Sequence, residues 1–331
     1  MAHILVPLDG SILAERALPW AATVARATAG HITLVQAISY PTMPADVVQP
    51  VDELEVATSD YLKDQAARVQ RTYGVTADVV TTFGATASVI LAEASARDVD
   101  YIAMSTHARD GLGRAVLGSV AEHVLRESPV PVYLLPAAAR GIELGAVKRI
   151  VMPVDGSELS EAILEPAALL ARQLAATITL VRVLEPPEGP VFDEHGVMLR
   201  SVDRELEDMQ LAAERYMTPL IRRLKQLGVE AHDRSELADD VATEIVRLGD
   251  AAAGDLIIMA THGRSGLDRL RHGSVTEQVL RHSHVPLLAF GRLALHSLVA
   301  ASERTNSDPA AITEPVRVDP IVLRAFSNPA R

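Results

Sequence analysis

The sequence contains no cysteine, and aromatic residues make up only 3% of its 331 positions. Disulfides, thiolate metal sites, iron–sulfur clusters and cysteine nucleophiles are therefore excluded, which is compatible with a reducing compartment and makes the cytoplasm the expected location. Long apolar runs are also lacking, since none approaches the roughly 20 residues that cross a bilayer. The first residues do not have the pattern of a secretory signal. We therefore expect no membrane partner and no export.

The sequence has fewer basic than acidic residues. The chain has 31 Lys and Arg against 43 Asp and Glu, for a formal net charge of -12. This charge repels a phosphate backbone, so we expect no nucleic-acid partner. The hydrophobic fraction of 48% with 22% charged residues is typical of a globular protein. At roughly 100 to 200 residues per domain, the length favours two domains.

The chain is an internal duplication. The segment Ile4–Ser11 returns as Ile150–Ser157, with the Asp-Gly-Ser ending retained. Met104–Pro131 aligns without gaps on Met259–Pro286, and 17 of these 28 positions are identical. Repeats of this length and similarity indicate that one structural unit occurs twice.

The repeat predicts the domain boundaries. We place one domain at 1–138 and a second at 147–291. The second copy is longer by about nine residues, which we place in the Pro- and acid-rich stretch 185–193. Residues 292–331 belong to neither copy, and we expect them to begin as a short helix and to continue as a flexible tail.

Both copies alternate short apolar runs with longer amphipathic stretches, which is typical of a parallel sheet covered by helices on both faces. We predict five strands per copy: His3–Leu8, His31–Ile38, Thr76–Thr81, Tyr101–Ser105 and Val130–Leu135 in the first, and Arg149–Val154, Thr177–Leu184, Val229–Ser235, Leu256–Ala260 and Pro286–Phe290 in the second. Leu13–Thr28 and Ser201–Leu227 are predicted helices. In such doubly wound sheets ligands bind at the carboxyl ends of strands, where the winding reverses.

The loop after the fourth strand contains glycines, which let backbone amides approach an anion closely. In the second copy Gly263 and Arg264 follow the strand, and Gly273–Ser274 open the next predicted helix. In the first copy the corresponding helix opens with Gly118–Ser119. Free amides at a helix N-terminus, together with the helix dipole, attract a phosphate, and the arginine adds positive charge.

The same serines also have a structural interpretation. Ser119 with Glu122, and Ser274 with Glu277, have the Ser-x-x-Glu spacing of a capping box, in which the serine hydroxyl binds an amide of the first helical turn. The residues alone leave phosphate binding and helix capping open.

Two aspartates and several histidines are the other candidates for chemistry. Asp9 and Asp155 end the first strand of each copy, where a carboxylate suits either ribose hydroxyls or the fixing of a turn. His272, His282 and His284 lack the carboxylates that would complete a tetrahedral metal set, so we predict no metal site. No nucleophile is paired with a base, so we assign no catalytic residue.

Together these motifs resemble the universal stress protein family in tandem form, over nearly all of residues 3–290. The matching features are the two Asp-Gly-Ser turns, the Thr-His pair after the fourth strand, the Gly-Ser-Val-x-Glu helix start and the Val-Pro pair of the last strand. The resemblance implies two doubly wound, five-stranded parallel-sheet domains, Rossmann-like and adenine nucleotide alpha hydrolase-like, with strand order 3-2-1-4-5.

Nucleotide-binding members of that family carry Gly-x-x-Gly, nine residues and Gly-Ser/Thr, and they bind ATP with or without magnesium. The second copy has Ala260 for the first of these glycines, whereas the first copy has Ser105 and Ala108 for the first two. The resemblance further places the strand-one aspartate near the ribose and the backbone of strand two near the adenine. It thus assigns to nucleotide binding Pro153, Asp155, Val183, Met259, Ala260, Gly263, Arg264, Gly273, Ser274 and Val275, and in the first copy Pro7, Asp9, Ala37, Met104, Ser105, Gly118, Ser119 and Val120.

The family also dimerises through its fifth strand. The resemblance implies that Val130–Leu135 and Val285–Phe290 pair inside this chain about a pseudo-two-fold axis, which would cover two apolar sheet edges. A homodimer of the whole chain stays open.

The function implied is that of an ATP-binding sensor or regulator of a stress response, and not of a dedicated enzyme. Two alternatives stay open. The departures at Ser105, Ala108 and Ala260 suit a scaffold that has lost nucleotide binding and acts through protein contacts. A weak ATP-hydrolysing enzyme is the other alternative, although no general base is identifiable near the loop.

Overall fold

Ten strands form one sheet that is built from two five-stranded halves. The computed structural model describes residues 1–39, 51–106, 118–136, 139, 147–187, 189–192, 198–251, 255–261, 274–296 and 298. The first half contains β1 (His3–Pro7), α1 (Ile12–Glu15), α2 (Leu18–Ala27), β2 (His31–Ile38), α3 (Val51–Tyr73), β3 (Ala77–Phe83), α4 (Thr86–Ala96), β4 (Tyr101–Ser105), α5 (Ser119–Glu127) and β5 (Val132–Leu135). The second half contains β6 (Arg149–Pro153), α6 (Glu158–Ala162), α7 (Leu164–Leu174), β7 (Thr177–Leu184), β8 (Val191–Phe192), β9 (Met198–Arg200), α8 (Val202–Gln226), β10 (Ala231–Leu237), α9 (Val241–Ala251), β11 (Leu256–Ala260), α10 (Ser274–His282) and β12 (Leu287–Phe290).

The strand order is β10-β7-β6-β11-β12-β5-β4-β1-β2-β3. Each half therefore has the predicted order 3-2-1-4-5, and all of its strand pairs are parallel. The fifth strands β5 and β12 pair antiparallel, with Leu288 opposite Tyr133. The predicted pairing of the fifth strands inside the chain is thus present, and it covers two strand edges that would otherwise be open to aggregation.

Helices cover both faces of the sheet, as the sequence predicts. Because successive strand residues point to opposite faces, Val6 packs into one core cluster with residues of α2, α3, α7 and α8. Its neighbour Leu5 packs into a second cluster with residues of α4, α5, α9 and α10. Both clusters contain residues from the two halves, so the core is continuous across the β5–β12 pair.

The predicted helix Leu13–Thr28 is two helices, α1 and α2. The break has a physical cause, since Pro19 lies in the first turn of α2, where its missing N–H is tolerated, and would remove a hydrogen bond from the interior of one long helix. The predicted helix Ser201–Leu227 is α8, with Ser201 and Leu227 as its caps. Ser201 accepts a hydrogen bond from the amide of Arg204.

The edge strands differ most from prediction. β3 and β10 end two residues beyond the predicted strands Thr76–Thr81 and Val229–Ser235. Each has only one strand neighbour, and residues 232–235 of β10 are exposed on both faces, so the apolar signal that marks a strand end is weak there. The remaining predicted strands agree with the structure within two residues at either end.

Two features lie outside the repeated unit. A hairpin of β8 and β9, which the sequence did not predict, precedes α8 in the second half. Residues 292–296 are helical, as expected for the start of the C-terminal segment, and Leu295 is fully buried in the core. The predicted flexible tail, which begins beyond Ser302, lies outside the described residues.

None of the helices in the described ranges is long and apolar enough to span a membrane.

Candidate functional site

The carboxyl ends of the parallel strands place the predicted site residues at one edge of each half. The amide of Leu8 donates to the carbonyl oxygen of Val35 at 2.9 Å, and Val154 makes the equivalent bond to Val181 at 2.9 Å. These bonds keep the chain after strand one paired with strand two as far as the residue before the aspartate. Since β5 and β12 pair antiparallel, the edges of the two halves face opposite directions.

In the first half Asp9 closes a tight turn. Its Oδ1 accepts a hydrogen bond from the amide of Ser11 at 2.9 Å. Gly10 between them has φ +82°, a left-handed conformation that favours glycine. The hydroxyl of Ser11 then caps α1 by accepting from the amide of Ala14 at 3.1 Å. The aspartate thus stands at the sheet edge as the first residue of a hydrogen-bonded turn.

In the second half Asp155 makes the same turn. Its Oδ1 accepts from the amide of Ser157 at 2.9 Å and from the hydroxyl of Ser157 at 2.6 Å. The hydroxyl of Ser160 accepts from the amide of Asp155 at 3.4 Å, which closes the turn from its other end. The structural role that the sequence left open for both aspartates is present. A carboxylate accepts about four hydrogen bonds, so this role is compatible with ligand binding.

Apolar residues from three elements line the same side of each edge. The predicted residues of strand two, strand four and the helix start all pack into or against one core cluster: Ala37, Met104 and Val120 in the first half, and Val183, Met259 and Val275 in the second. The two methionines are buried and the other four are partly buried. These residues therefore lie on one face of the sheet, and we call the set of three in each half its apolar wall. Pro7 and Pro153, at the ends of β1 and β6, are partly buried at the same edge.

The N-cap residue of α5 makes no side-chain capping bond. Its N-cap is Gly118, whose carbonyl oxygen accepts from the amide of Glu122 at 2.8 Å. Ser119 is the first helical residue and is exposed, so the capping-box interpretation of Ser119 with Glu122 is wrong for the first half. The reason is that the helix begins one residue earlier in the chain than that motif requires. Such a helix start presents amides and the positive end of the helix dipole to an anion.

Two buried hydroxyls at the end of β4 make no hydrogen bond within the described part of the chain. They are Ser105 Oγ and Thr106 Oγ1, in residues that are 5% and 2% exposed. An unsatisfied buried hydroxyl costs about 1–3 kcal/mol, and such groups concentrate where water or a ligand supplies the partner. The second half differs, since Ala260 replaces the serine and Thr276 directs its hydroxyl at the Ala260 carbonyl oxygen at 3.4 Å. Sequence reasoning named Ser105 but missed Thr106.

A tyrosine from the long helix lies beside each aspartate turn, and the sequence reasoning missed both. In the first half the Tyr61 hydroxyl donates to Glu15 Oε1 at 3.2 Å. Burial and the nearby carboxylates of Glu15 and Asp9 raise the pKa of Tyr61, so it stays protonated as a donor. The signal that was available is the repeat itself, because Tyr216 lies at the equivalent position of the second copy.

The second half adds a cation at this place. Arg182, at the end of β7, donates to the carbonyl oxygen of Val154 at 3.1 Å, and its guanidinium lies 5.7 Å from the ring centroid of Tyr216. Burial and the nearby Glu161 carboxylate raise the pKa of Tyr216 to about 12. The first half has the neutral Gln36 at the position of Arg182. Positive charge therefore stands beside the second aspartate turn and not at the matching position of the first.

Several predicted residues cannot be placed in this way. Gly263, Arg264, Gly273 and the side chain of Ser274 lie outside the described residues. In the described ranges no group of three His, Asp or Glu side chains is arranged to hold a metal. His282 Nδ1 lies 2.9 Å from the carbonyl oxygen of Gln278, and His284 Nδ1 lies 3.2 Å from Asp250, which gives each ring a structural partner.

Fold and site together define a tandem α/β protein, with two Rossmann-like halves joined through their fifth strands and an aspartate turn at the carboxyl edge of each. The sequence profile of the Universal stress protein family matches residues 1–136 and 146–291. The chain therefore belongs to the universal stress protein family. In general, proteins of this family are stress-response proteins and not dedicated enzymes.

Relatives of one-domain and two-domain length share the sequence. A universal stress protein of Methanocaldococcus jannaschii is 30% identical over 165 residues, which cover 47% of this chain and 88% of the relative. A universal stress protein of Mycobacterium tuberculosis is 23% identical over 295 residues, which cover 86% of this chain and 95% of the relative.

Solved structures share the whole arrangement. A universal stress protein of Archaeoglobus fulgidus superposes with a TM-score of 0.66 at 20% identity, over 88% of this chain and 98% of the other. A putative universal stress protein of Pseudomonas aeruginosa gives a TM-score of 0.62 at 20% identity, over 93% and 98%. At this identity the likeness shows the fold.

Proposed function

We propose that this chain is a cytoplasmic ATP-binding universal stress protein, in which nucleotide occupancy regulates a stress response and no dedicated catalysis takes place. The observation that carries the proposal is the convergence of three features on each sheet edge. These are an aspartate turn, an apolar wall from strand two, strand four and the start of the helix after strand four, and, in the first half, a helix start whose N-cap residue makes no side-chain capping bond.

Each feature matches one part of an adenine nucleotide. The Asp155 carboxylate is suited to accept hydrogen bonds from ribose hydroxyls. Val183 and Val275 form an apolar wall for the adenine. The amides at the start of α10, with the predicted Gly273 and Arg264, suit the phosphates, and magnesium would accompany them as a counter-ion.

We propose the second half as the tighter site. It departs from the family pattern at one early glycine, where the first half departs at two. It also places Arg182 beside the aspartate turn, where the first half has Gln36. A guanidinium near the site favours a ligand with several negative charges.

Calorimetric titration of the full chain with magnesium and ATP tests the proposal. Asp155→Asn retains an acceptor for the turn but removes the charge, so we expect it to weaken binding by about 10- to 100-fold, the range for a hydrogen bond to a charged group. Asp9→Asn should have a smaller effect, because the first site is proposed to be the weaker. Asp203→Asn changes an exposed carboxylate in the first turn of α8 and serves as the matched control, with unchanged affinity.

Failure of the parent protein to bind ATP would defeat the proposal, as would an unchanged affinity in Asp155→Asn. We further expect phosphate release to stay at the background rate. A homodimer of the chain would have to use a surface other than β5 and β12, since these strands are already paired with each other.

A further inference from the structure

The residues from Asp9 to Glu15 form one hydrogen-bonded unit in the first half. The amide of Ser11 donates to Asp9 Oδ1, and the amide of Glu15 donates to the Ser11 carbonyl oxygen at 3.3 Å. The Ser11 hydroxyl accepts a hydrogen bond from the amide of Ala14 at 3.1 Å. Because α1 is only four residues long, its position fixes that of the aspartate turn.

The far end of this unit is attached to α3 through the side chain of Glu15. Glu15 Oε1 accepts from the Tyr61 hydroxyl at 3.2 Å and from Gln65 Nε2 at 3.1 Å. Glu15 Oε2 accepts from Arg68 at 2.6 Å. The three donors lie on one face of α3, at positions four and three residues apart. The Glu15 side chain is only 13% exposed, so the ion pair is partly shielded from solvent.

The second half lacks this attachment although it has the equivalent glutamate. Glu161 corresponds to Glu15, but Leu220 replaces Gln65, and Arg223 is paired with Glu165 at 2.6 Å instead. The Tyr216 hydroxyl is buried and has no hydrogen-bond partner of normal geometry among the described residues, although Glu161 and Ser160 both lie close enough to act on its pKa.

The second aspartate turn is instead closed by its own serines. Ser157 bonds Asp155 through its amide and its hydroxyl, and its hydroxyl also accepts from the amide of Ser160 at 3.1 Å. The Ser160 hydroxyl accepts from the amide of Asp155. Ala14 occupies the position of Ser160 in the first half, so this closure cannot form there.

We infer that Glu15 is a positioning residue, which couples α3 to the turn that carries Asp9, whereas the turn of Asp155 is held mainly by its own serines and depends little on α8. Where it concerns a ligand, the inference rests on the proposed function. Its consequence is that an event which moves α3 changes the first site and leaves the second unchanged. The two sites of one chain are then regulated separately.

Amide hydrogen exchange of the full chain without nucleotide tests the coupling. In Glu15→Ala we expect the amides of residues 9–17 to exchange at least about tenfold faster, because loss of the three bonds makes local opening easier. Residues 154–163 provide an internal control and should exchange at the parent rate. Glu161→Ala is the matched variant, and we expect it to change exchange at 154–163 by less than about twofold.

Glu15→Gln separates positioning from packing. Its amide oxygen still accepts from Tyr61 or Gln65, so we expect exchange at 9–17 to return most of the way to the parent rate. The inference is overturned if Glu15→Ala leaves exchange at 9–17 unchanged, if both turns accelerate alike, or if Glu15→Gln behaves as Glu15→Ala does.

A ligand measurement distinguishes failure of this inference from failure of the proposed function. If the parent binds ATP at two sites, Glu15→Ala should weaken the site that Asp9→Asn also weakens, by about tenfold, and leave the other unchanged. If the parent binds no nucleotide, the proposed function fails while the exchange comparison still decides the coupling.

Discussion

The two halves share one topology but support it with different side chains. The core of the first half holds Trp20 stacked on Tyr133, with ring centroids 4.1 Å apart, and Tyr101 meets Trp20 edge to face. The second half has Pro166 and Leu288 in place of the stacked pair. The aspartate turns differ in the same way, since one depends on a distant helix and the other on local serines.

This contrast separates the features of the turn that both halves share from those that differ between the halves. Both halves retain the backbone elements of the turn, namely a glycine with positive φ and a serine cap. The side chains that anchor the turn differ, because any set of donors that holds the carboxylate satisfies the geometry. One half can therefore change the side chains that anchor its turn while both halves keep the same backbone geometry.

The largest effect that we expect concerns the aromatic pair at the junction. Tyr133 is fully buried and lies opposite Leu288 of the second half. Tyr133→Ala should lower the free energy of unfolding by about 3–5 kcal/mol, because it leaves a large cavity and removes the stacking on Trp20. Chemical denaturation followed by the fluorescence of the single tryptophan measures this loss.

Two variants sharpen the comparison between the halves. Tyr133→Phe keeps the ring and the stacking, so it should retain most of the stability. Leu288→Ala removes a smaller side chain at the equivalent position and should cost less than Tyr133→Ala, within the usual range of about 2–5 kcal/mol. A larger loss from Leu288→Ala would contradict the view that the aromatic pair dominates the junction.

A smaller effect concerns a histidine pair that only the first half contains. The rings of His3 and His31 stack with centroids 4.0 Å apart, and Arg149 and Thr177 occupy these positions in the second half. Burial and the neighbouring His31 lower the pKa of His3 from 6.5 to about 4. Between these pH values the unfolded chain binds a proton at this residue that the folded chain does not.

Stability should therefore be unaffected by His3 above pH 6.5 and should fall as the pH decreases from 6.5 to 4. We expect the loss to be about 1–2 kcal/mol, since partial exposure of the ring screens part of the shift. Urea unfolding of the parent and of His3→Gln at pH 7.5 and pH 4.5 measures this loss. It is the drop in the free energy of unfolding of the parent between the two pH values minus the drop for the variant. A parent and variant with parallel pH dependence would show that His3 does not titrate in this way.

Much of the fold was predictable because the sequence contains the same structural unit twice. The repeated apolar runs predicted five strands in each half, and the resemblance to the family implied their order and the β5–β12 pair. The break between α1 and α2 was missed, although Pro19 was visible, because the apolar period continues across it. The hairpin of β8 and β9 was missed because it has no counterpart in the repeat pattern.

The site was predictable where backbone geometry determines it. The two Asp-Gly-Ser turns were found because glycine, aspartate and serine have specific roles at such positions. The anchoring by Glu15 was not found, because it joins α1 to α3 across some 50 residues and depends on how the helices pack. The buried hydroxyl of Thr106 was missed because neither burial nor the lack of a partner among the described residues has a sequence signature.

The smallest effect tests the contrast between the turns directly. Ser11 and Ser157 both cap the helix after the aspartate, and loss of such a cap costs typically about 1 kcal/mol. Ser157 also donates its hydroxyl to the aspartate, at 2.6 Å. Ser157→Ala should therefore destabilise more than Ser11→Ala, by about 1 kcal/mol, because it additionally removes a partly exposed bond to a carboxylate. Denaturation midpoints of the two variants measure the difference, and equal losses would mean that the second turn does not depend on its own serine.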